Sequence, residues 1–308
     1  MHIKNLDAVR GWAALIVCFS HIPPMTQPSF GAAGVWIFFV LSGFLLSISF
    51  ENRPTRQVNQ AIPAYLLRRL FRILPVYCLV IPVYALMYKY LYTDHYTDWA
   101  ISHLSFQKAD GHFWSVKVEL IFYLVLPFIL LGLSFLKNKK QKLVVLFLLS
   151  GVVYYFFEAK KMMAITGGSG QVCLYFTPFI LGVFLSVIRN DLSAKLCSIL
   201  FHIGTFLIIF LCLDIKILET SIFRSGFEVV NNLGWNYSFL FYPISCIAII
   251  GAYKGSSYLL RLPFIQSVGR CGYSFYLWHM VVIVLLSGFI TQLSDIRFLR
   301  IDKLKQLK

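Results

Sequence analysis

Apolar residues along this chain fall into blocks separated by short polar stretches, and several blocks are long enough to cross a bilayer, which takes about 20 residues per helix. The runs predict nine helices, at about 6–22, 31–50, 74–92, 118–136, 143–157, 171–188, 196–213, 235–252 and 272–292. Pro75, Pro82, Pro127, Pro178 and Pro243 fall inside or at the edges of these runs. A bundle tolerates them where neighbouring helices satisfy the freed carbonyls. No repeat, low-complexity tract or soluble domain interrupts the pattern. The predicted fold class is all-α: a polytopic transmembrane helical bundle.

Composition agrees with this pattern. Hydrophobic residues make up 58% of the 308 positions and charged residues only 13%, roughly half the charged share of soluble chains. That excludes an ordinary soluble domain, a disordered chain, a disulfide scaffold and a collagen-like fibre. The formal net charge of +15 would suggest nucleic acid on a soluble face, but in a membrane chain it reads as topology, because cytoplasmic loops collect Lys and Arg. With the N-terminus inside, sixteen cationic residues from Lys4 to Arg270 fall on the cytoplasmic side, against seven outside. The basic tail Arg297, Arg300, Lys303, Lys305 and Lys308 disagrees, since nine spans would place it outside. Either the last run does not cross fully or a tenth helix is missing. Cysteines 18, 78, 173, 197, 212, 246 and 271 lie in or beside apolar runs without a CxxC pair. They read as small buried apolar residues. No cleavable signal peptide is evident, and no cluster of metal-ligand spacing is present.

Ionisable side chains inside spans are where function is sought, because each costs at least ~2.5–3.5 kcal/mol on insertion scales. Arg10 and His21, eleven residues apart in the first run, share one helix face at roughly 16 Å along the axis. Taken alone, Arg10 has the alternative of a snorkelling cation and His21 that of a core histidine hydrogen-bonded to a neighbouring helix. Glu119, in Phe113-Trp114-Ser115-Val116-Lys117-Val118-Glu119, enters the fourth run from outside and is expected at the level of His21. A carboxylate there would fix the imidazole tautomer and support its cationic form; the alternative is a helix-start glutamate favoured by the macrodipole. Arg68, Arg69 and Arg72 precede the third run and read either as a positive-inside flank or as an anion site. Gly31, Gly34 and Ser42-Gly43 are small residues on a bulky span, as close helix approach requires. His279 is expected nearer the cytoplasmic half. A thiol nucleophile at Cys18 is disfavoured, because only His21 is near enough to stabilise a thiolate.

Together these segments resemble membrane acyltransferase family 3, the group that includes bacterial O-antigen and exopolysaccharide O-acetylases. The resemblance rests on Arg10 to His21, Gly34-Val35-Trp36-Ile37-Phe38-Phe39-Val40-Leu41-Ser42-Gly43-Phe44, Arg68-Arg69-Leu70-Phe71-Arg72-Ile73-Leu74-Pro75, Trp114-Ser115 with Glu119 and Phe122-Tyr123, and Gly272-Tyr273-Ser274-Phe275-Tyr276-Leu277-Trp278-His279. These lie in the family's order. The resemblance implies a single acyltransferase domain over 1–292 with nine to ten helices, and a basic tail, 293–308, standing where a shortened or altered last helix would be. It implies His21, Glu119 and Arg10 as catalytic residues, and acyl-CoA as a co-substrate, with acetyl the family default. The protein would be a multi-pass protein of the cell inner (cytoplasmic) membrane, and a hydroxyl of a cell-surface carbohydrate or lipid-linked glycan on the outer side would accept the acyl group.

The chemistry is consistent with the residues. A sugar hydroxyl is a poor nucleophile at neutral pH, so a base must take its proton; an imidazole is suited to this and typically contributes ~10²–10⁴-fold. Arg68, Arg69 and Arg72 would hold the donor's phosphates. Ser42, Trp114, Ser115, Tyr123, Tyr276 and His279 would line the substrate cavity, with Ser42, Trp114 and Ser115 as candidate oxyanion donors. Neither a metal nor nucleic acid is expected as a partner. A transporter or flippase of a glycan or lipid-linked intermediate would also carry intramembrane charges and proline-broken helices, but no inverted repeat supports it. An inactive shortened acyltransferase is the third reading.

Overall fold

The computed structural model describes residues 3–22, 28–51, 58–91, 96–109, 111–159, 164–167, 170–173, 175–221 and 238–287. The basic tail, with Arg297, Arg300, Lys303, Lys305 and Lys308, lies outside them. The helices in chain order are α1 (Lys4–Phe19), α2 (Pro28–Glu51), α3 (Val58–Leu91), α4 (Tyr96–Leu104), α5 (Trp114–Ser134), α6 (Lys139–Val153), α7 (Thr177–Ile188), α8 (Ala194–Ser221), α9 (Ser238–Lys254), α10 (Tyr258–Arg261), α11 (Pro263–Arg270) and α12 (Gly272–Ser287). A helix lies over each predicted run. Five segments are long and apolar enough to cross a membrane: Gly31–Glu51, Ile62–Met87, Gly111–Ser134, Lys139–Ala159 and Ala194–Leu211. The pair α11–α12, bent by 90°, makes a sixth if taken as one broken span, while α7 and α9 are apolar but shorter.

Several boundaries differ from expectation, and the differences matter for the site. Helix α3 starts at Val58, so Arg68, Arg69 and Arg72 sit within a helix and not on a flank ahead of it. Helix α5 starts at Trp114, preceded by a 3₁₀ turn over Gly111–Phe113, so Glu119 lies inside the helix and not at its first turn. The run expected to begin at 171 opens as an antiparallel hairpin instead. Ala164–Gly167 pairs with Gly170–Cys173, with Ala164 opposite Cys173, and α7 begins only at Thr177, with proline in its first turn. The fold is therefore a helical membrane bundle carrying one small hairpin.

The packing follows from small residues and from lipid. Helix α2 is central: Trp36, Val40 and Phe44 are fully buried. It meets α7 backbone to backbone. A Cβ on Gly43 would lie 2.0 Å from the Phe179 carbonyl oxygen, and one on Gly182 would lie 2.1 Å from that of Val40. Helices α1 and α11 approach equally closely, since a Cβ on Gly269 would overlap the Asp7 carbonyl oxygen. In lipid, where apolar burial drives helix association weakly, such contacts let dispersion and polar bonds hold the bundle. Large apolar residues point outward, among them Phe71, Leu79, Phe147, Phe206 and Leu285, as a lipid-facing surface requires.

Buried polar bonds cross-link the helices. Asn5 donates from Nδ2 to the carbonyl oxygens of Ala252 (3.1 Å) and Gly255 (2.9 Å), and Trp12 Nε1 donates to Leu259 (3.1 Å). Glu158, which the sequence reading passed over, is buried after α6. It accepts the backbone N–H of Thr177 at 2.9 Å and the Tyr242 hydroxyl at 2.7 Å, tying α6, the first turn of α7 and α9 together. The expectation of uniformly buried cysteines needs correction. Cys197 is buried, Cys18 and Cys246 are half-buried, and Cys78 and Cys271 are exposed; the side chains of Cys173 and Cys212 lie outside the described residues. Exposure costs a thiol little where the outside is lipid.

Candidate functional site

A cavity of about 630 Å³ opens between α1, α2, α3, α5 and α12. Four arginines line it: Arg10 from α1, Arg69 and Arg72 from α3, and Arg270 from the end of α11. Its carboxylates are Asp7 and Glu119, and its hydroxyl-bearing walls include Ser42, Ser115, Tyr123, Tyr273 and Tyr276. Each arginine is placed by local geometry. Arg10 follows Asp7 by three residues, one helical turn, and its Nη1 donates to Asp7 Oδ1 at 3.2 Å. Its aliphatic stem lies close over the backbone of Gly272, where a Cβ would be 3.1 Å from Arg10 Cγ. Arg69 and Arg72 are three apart and so share a face of α3. Arg68, one step around, is exposed and does not line the cavity. The expected three-arginine group is thus two from α3, joined by Arg10 and Arg270.

Glu119 belongs to this cavity. Its carboxylate accepts hydrogen bonds from the Ser42 hydroxyl (3.1 Å) and from the hydroxyl of Tyr123, one turn further along α5. The expected meeting of Glu119 with His21 does not occur among these bonds, and His21 is not part of the cavity lining. The reason is register. With α5 preceded by a turn from Gly111, it is His112 that lies at the end of the bundle where His279 and His21 meet, and Glu119 is seven residues, roughly 10 Å, further along the helix.

His279, expected away from His21, stands beside it instead. Gly272, at the start of α12, touches Arg10, and seven residues of helix carry His279 up to His21. Their ring centroids are 5.3 Å apart with the planes tilted by 35°. His112 joins from the other side, its ring 5.1 Å from that of His279. His279 is buried while His21 is exposed. This histidine cluster and the arginine cavity share one wall. Tyr276 lines the cavity, donates its hydroxyl proton to the His112 carbonyl oxygen at 2.8 Å, and accepts from Ser115 at 2.8 Å. Of the expected cavity residues, Ser42, Ser115, Tyr123 and Tyr276 line it. Trp114 and His279 do not: Trp114 packs among Trp36, Phe39 and Tyr175, and His279 stands in the histidine cluster. Among the described residues no group of three His, Cys, Asp or Glu side chains is arranged to hold a metal ion.

The sequence reading missed His112, Tyr273 and Arg270 as site residues. Arg270 had a signal, since it stands two residues before the Gly272 motif. His112 had only its neighbour Trp114.

No solved structure matches the chain. Among curated relatives, the O-acetyltransferase OatA of Staphylococcus aureus (strain NCTC 8325) is 24% identical over 345 residues, covering 94% of this chain and 52% of OatA. YrhL of Bacillus subtilis (strain 168), provisionally named a peptidoglycan O-acetyltransferase, is 26% identical over 326 residues, covering 92% of this chain and 49% of YrhL. The chain spans about half the length of the curated relatives it matches. The acyltransferase domain family matches residues 3–301, with the arginine cavity and the histidine cluster both inside that stretch, and the chain therefore belongs to acyltransferase family 3.

Proposed function

We propose that the protein transfers an acyl group, acetyl by default, from cytoplasmic acyl-CoA to a hydroxyl of a cell-surface carbohydrate on the outer side of the cytoplasmic membrane. The observation that carries this reading is the cavity with four arginines whose wall, Tyr276, also borders the histidine cluster. Arginine forks match phosphate oxygens, so Arg69, Arg72, Arg270 and Arg10 suit a polyphosphate donor. Glu119 keeps part of that charge balanced and, through Tyr123 and Ser42, fixes the cavity wall. The positive-inside count supports a cytoplasmic opening for the cavity and an outer position for His21. The relatives' names support O-acetylation of a wall or surface glycan as the acceptor chemistry.

In the reaction, His21 takes the proton of the acceptor hydroxyl as its oxygen attacks the thioester carbonyl carbon. The tetrahedral intermediate collapses, the carbon–sulfur bond breaks, and the imidazolium returns the proton to the departing thiolate. The products are an ester and free CoA. Labelled acyl-CoA added to membranes, with mass spectrometry of the surface polysaccharide, tests the reading. The expected result is one alkali-labile acyl group per modified residue, present only with the protein. Glycan of unchanged mass appearing on the outer side would make the protein a transporter instead.

A further inference from the structure

We propose that His279 is a positioning residue for His21: it accepts the N–H of the His21 imidazole and so leaves the other ring nitrogen of His21 as the base. The inference rests on the acyl-transfer reading and assigns to His279 the task that sequence reasoning gave to Glu119. Nδ1 of His279 is hydrogen-bonded to the Tyr276 carbonyl oxygen, one turn back on α12. A carbonyl only accepts, so Nδ1 carries the proton and Nε2 of the neutral ring presents a lone pair. That Nε2 is buried and has no hydrogen-bond partner among the described residues. A buried acceptor left in this state is costly, so the site is built to receive a donor.

Two imidazoles are near enough to supply it. His112 is unsuited. Its own Nε2 is likewise buried and without a hydrogen-bond partner among the described residues although the ring of His279 is 5.1 Å away, and its ring is held among Tyr84, Phe113 and Tyr276, so it is not free to turn and serve His279. His21 remains. It is exposed, it stands in the turn that ends α1, and its ring centroid is 5.3 Å from that of His279, close enough for their edge nitrogens to meet in a hydrogen bond. Once one nitrogen of His21 donates to His279, the other is a lone pair turned toward the exposed side, where an acceptor hydroxyl arrives. A neutral partner stabilises the imidazolium less than a carboxylate would, but it sets the same tautomer. No carboxylate is needed at that level.

The test uses the full-length protein in membranes, with labelled acetyl-CoA and its own surface glycan as acceptor. The variants are His279→Gln, whose amide oxygen reaches the place of Nε2, and His279→Asn, whose shorter amide reaches only that of Nδ1. Both must run as folded species in detergent. The expected result is a kcat at least about tenfold lower for His279→Asn and largely recovered in His279→Gln, with KM for acetyl-CoA within about twofold of wild type in both. Adding His279→Asn to His21→Ala should cost nothing further, since groups acting as one unit are non-additive. Equal losses in the Gln and Asn variants, a rise in KM alone, or a double variant far below His21→Ala would each overturn the pairing. The two readings fail separately. A wild-type protein that transfers no acyl group ends the acyl-transfer reading, whereas an active wild type, an inactive His21→Ala and an unimpaired His279→Asn end only this one.

Discussion

The separation of Glu119 from His21 makes a quantitative prediction. Glu119→Gln keeps the size of the side chain but replaces a carboxylate that accepts from Ser42 and Tyr123 with a neutral amide. A hydrogen bond to a charged group contributes roughly 1.5–3 kcal/mol and a neutral one roughly 0.5–1.5 kcal/mol, so two such downgrades cost about 2 kcal/mol. At about 1.4 kcal/mol per factor of ten, that is a loss of roughly thirtyfold in kcat/KM. His21→Ala removes the base and costs about a hundredfold or more. The two residues share no hydrogen-bond partner and stand in different parts of the site, so their effects should add in free energy to within ~0.5 kcal/mol. The double variant should therefore fall about three-thousandfold below wild type. Initial rates of acyl-CoA-dependent glycan labelling, corrected for protein amount in the membrane, measure this. A double variant hardly worse than His21→Ala would mean that the two groups act as one unit, and would refute the placement of Glu119 in the arginine cavity.

Replacing Arg69 or Arg72 with Gln should raise KM for acyl-CoA several-fold while Arg68→Gln leaves it unchanged, because only the first two line the cavity; donor titrations in membranes separate them. Gly272→Leu should mimic part of an Arg10 loss, since its side chain would displace the Arg10 stem, and the same titrations should show weakened donor use in a folded protein. Gly43→Val should be a folding variant: its branched side chain would enter the Phe179 backbone, at a cost of about 1–3 kcal/mol or more, read as a lower melting temperature and yield in detergent.

What could be read from the chain alone was what is local. A run of apolar residues must be helical in lipid, because only a helix satisfies its own backbone there, so the helices over the nine runs were legible. So were the anomalies within them, Arg10, His21, Glu119 and His279, because a charge or imidazole in an apolar run stands out against its neighbours. The need for small residues at Gly43 was legible for the same reason, though not that Phe179 of α7 would be the backbone it meets. What the chain could not disclose was depth. A few residues of uncertainty at a helix start amount to roughly 1.5 Å each along the axis. Extending α5 back to Trp114 therefore moves Glu119 from the level of His21 down among Arg10, Arg69 and Arg72, and the length of α12 lifts His279 to the vacated place. Tertiary packing decided both. Gly272 against Arg10 sets the height of α12, the Ser42 bond sets that of Glu119, and neither contact has any counterpart in the local pattern of the sequence. Residue types chose the chemistry available to the site; the relative heights of the helices chose which residues perform it together.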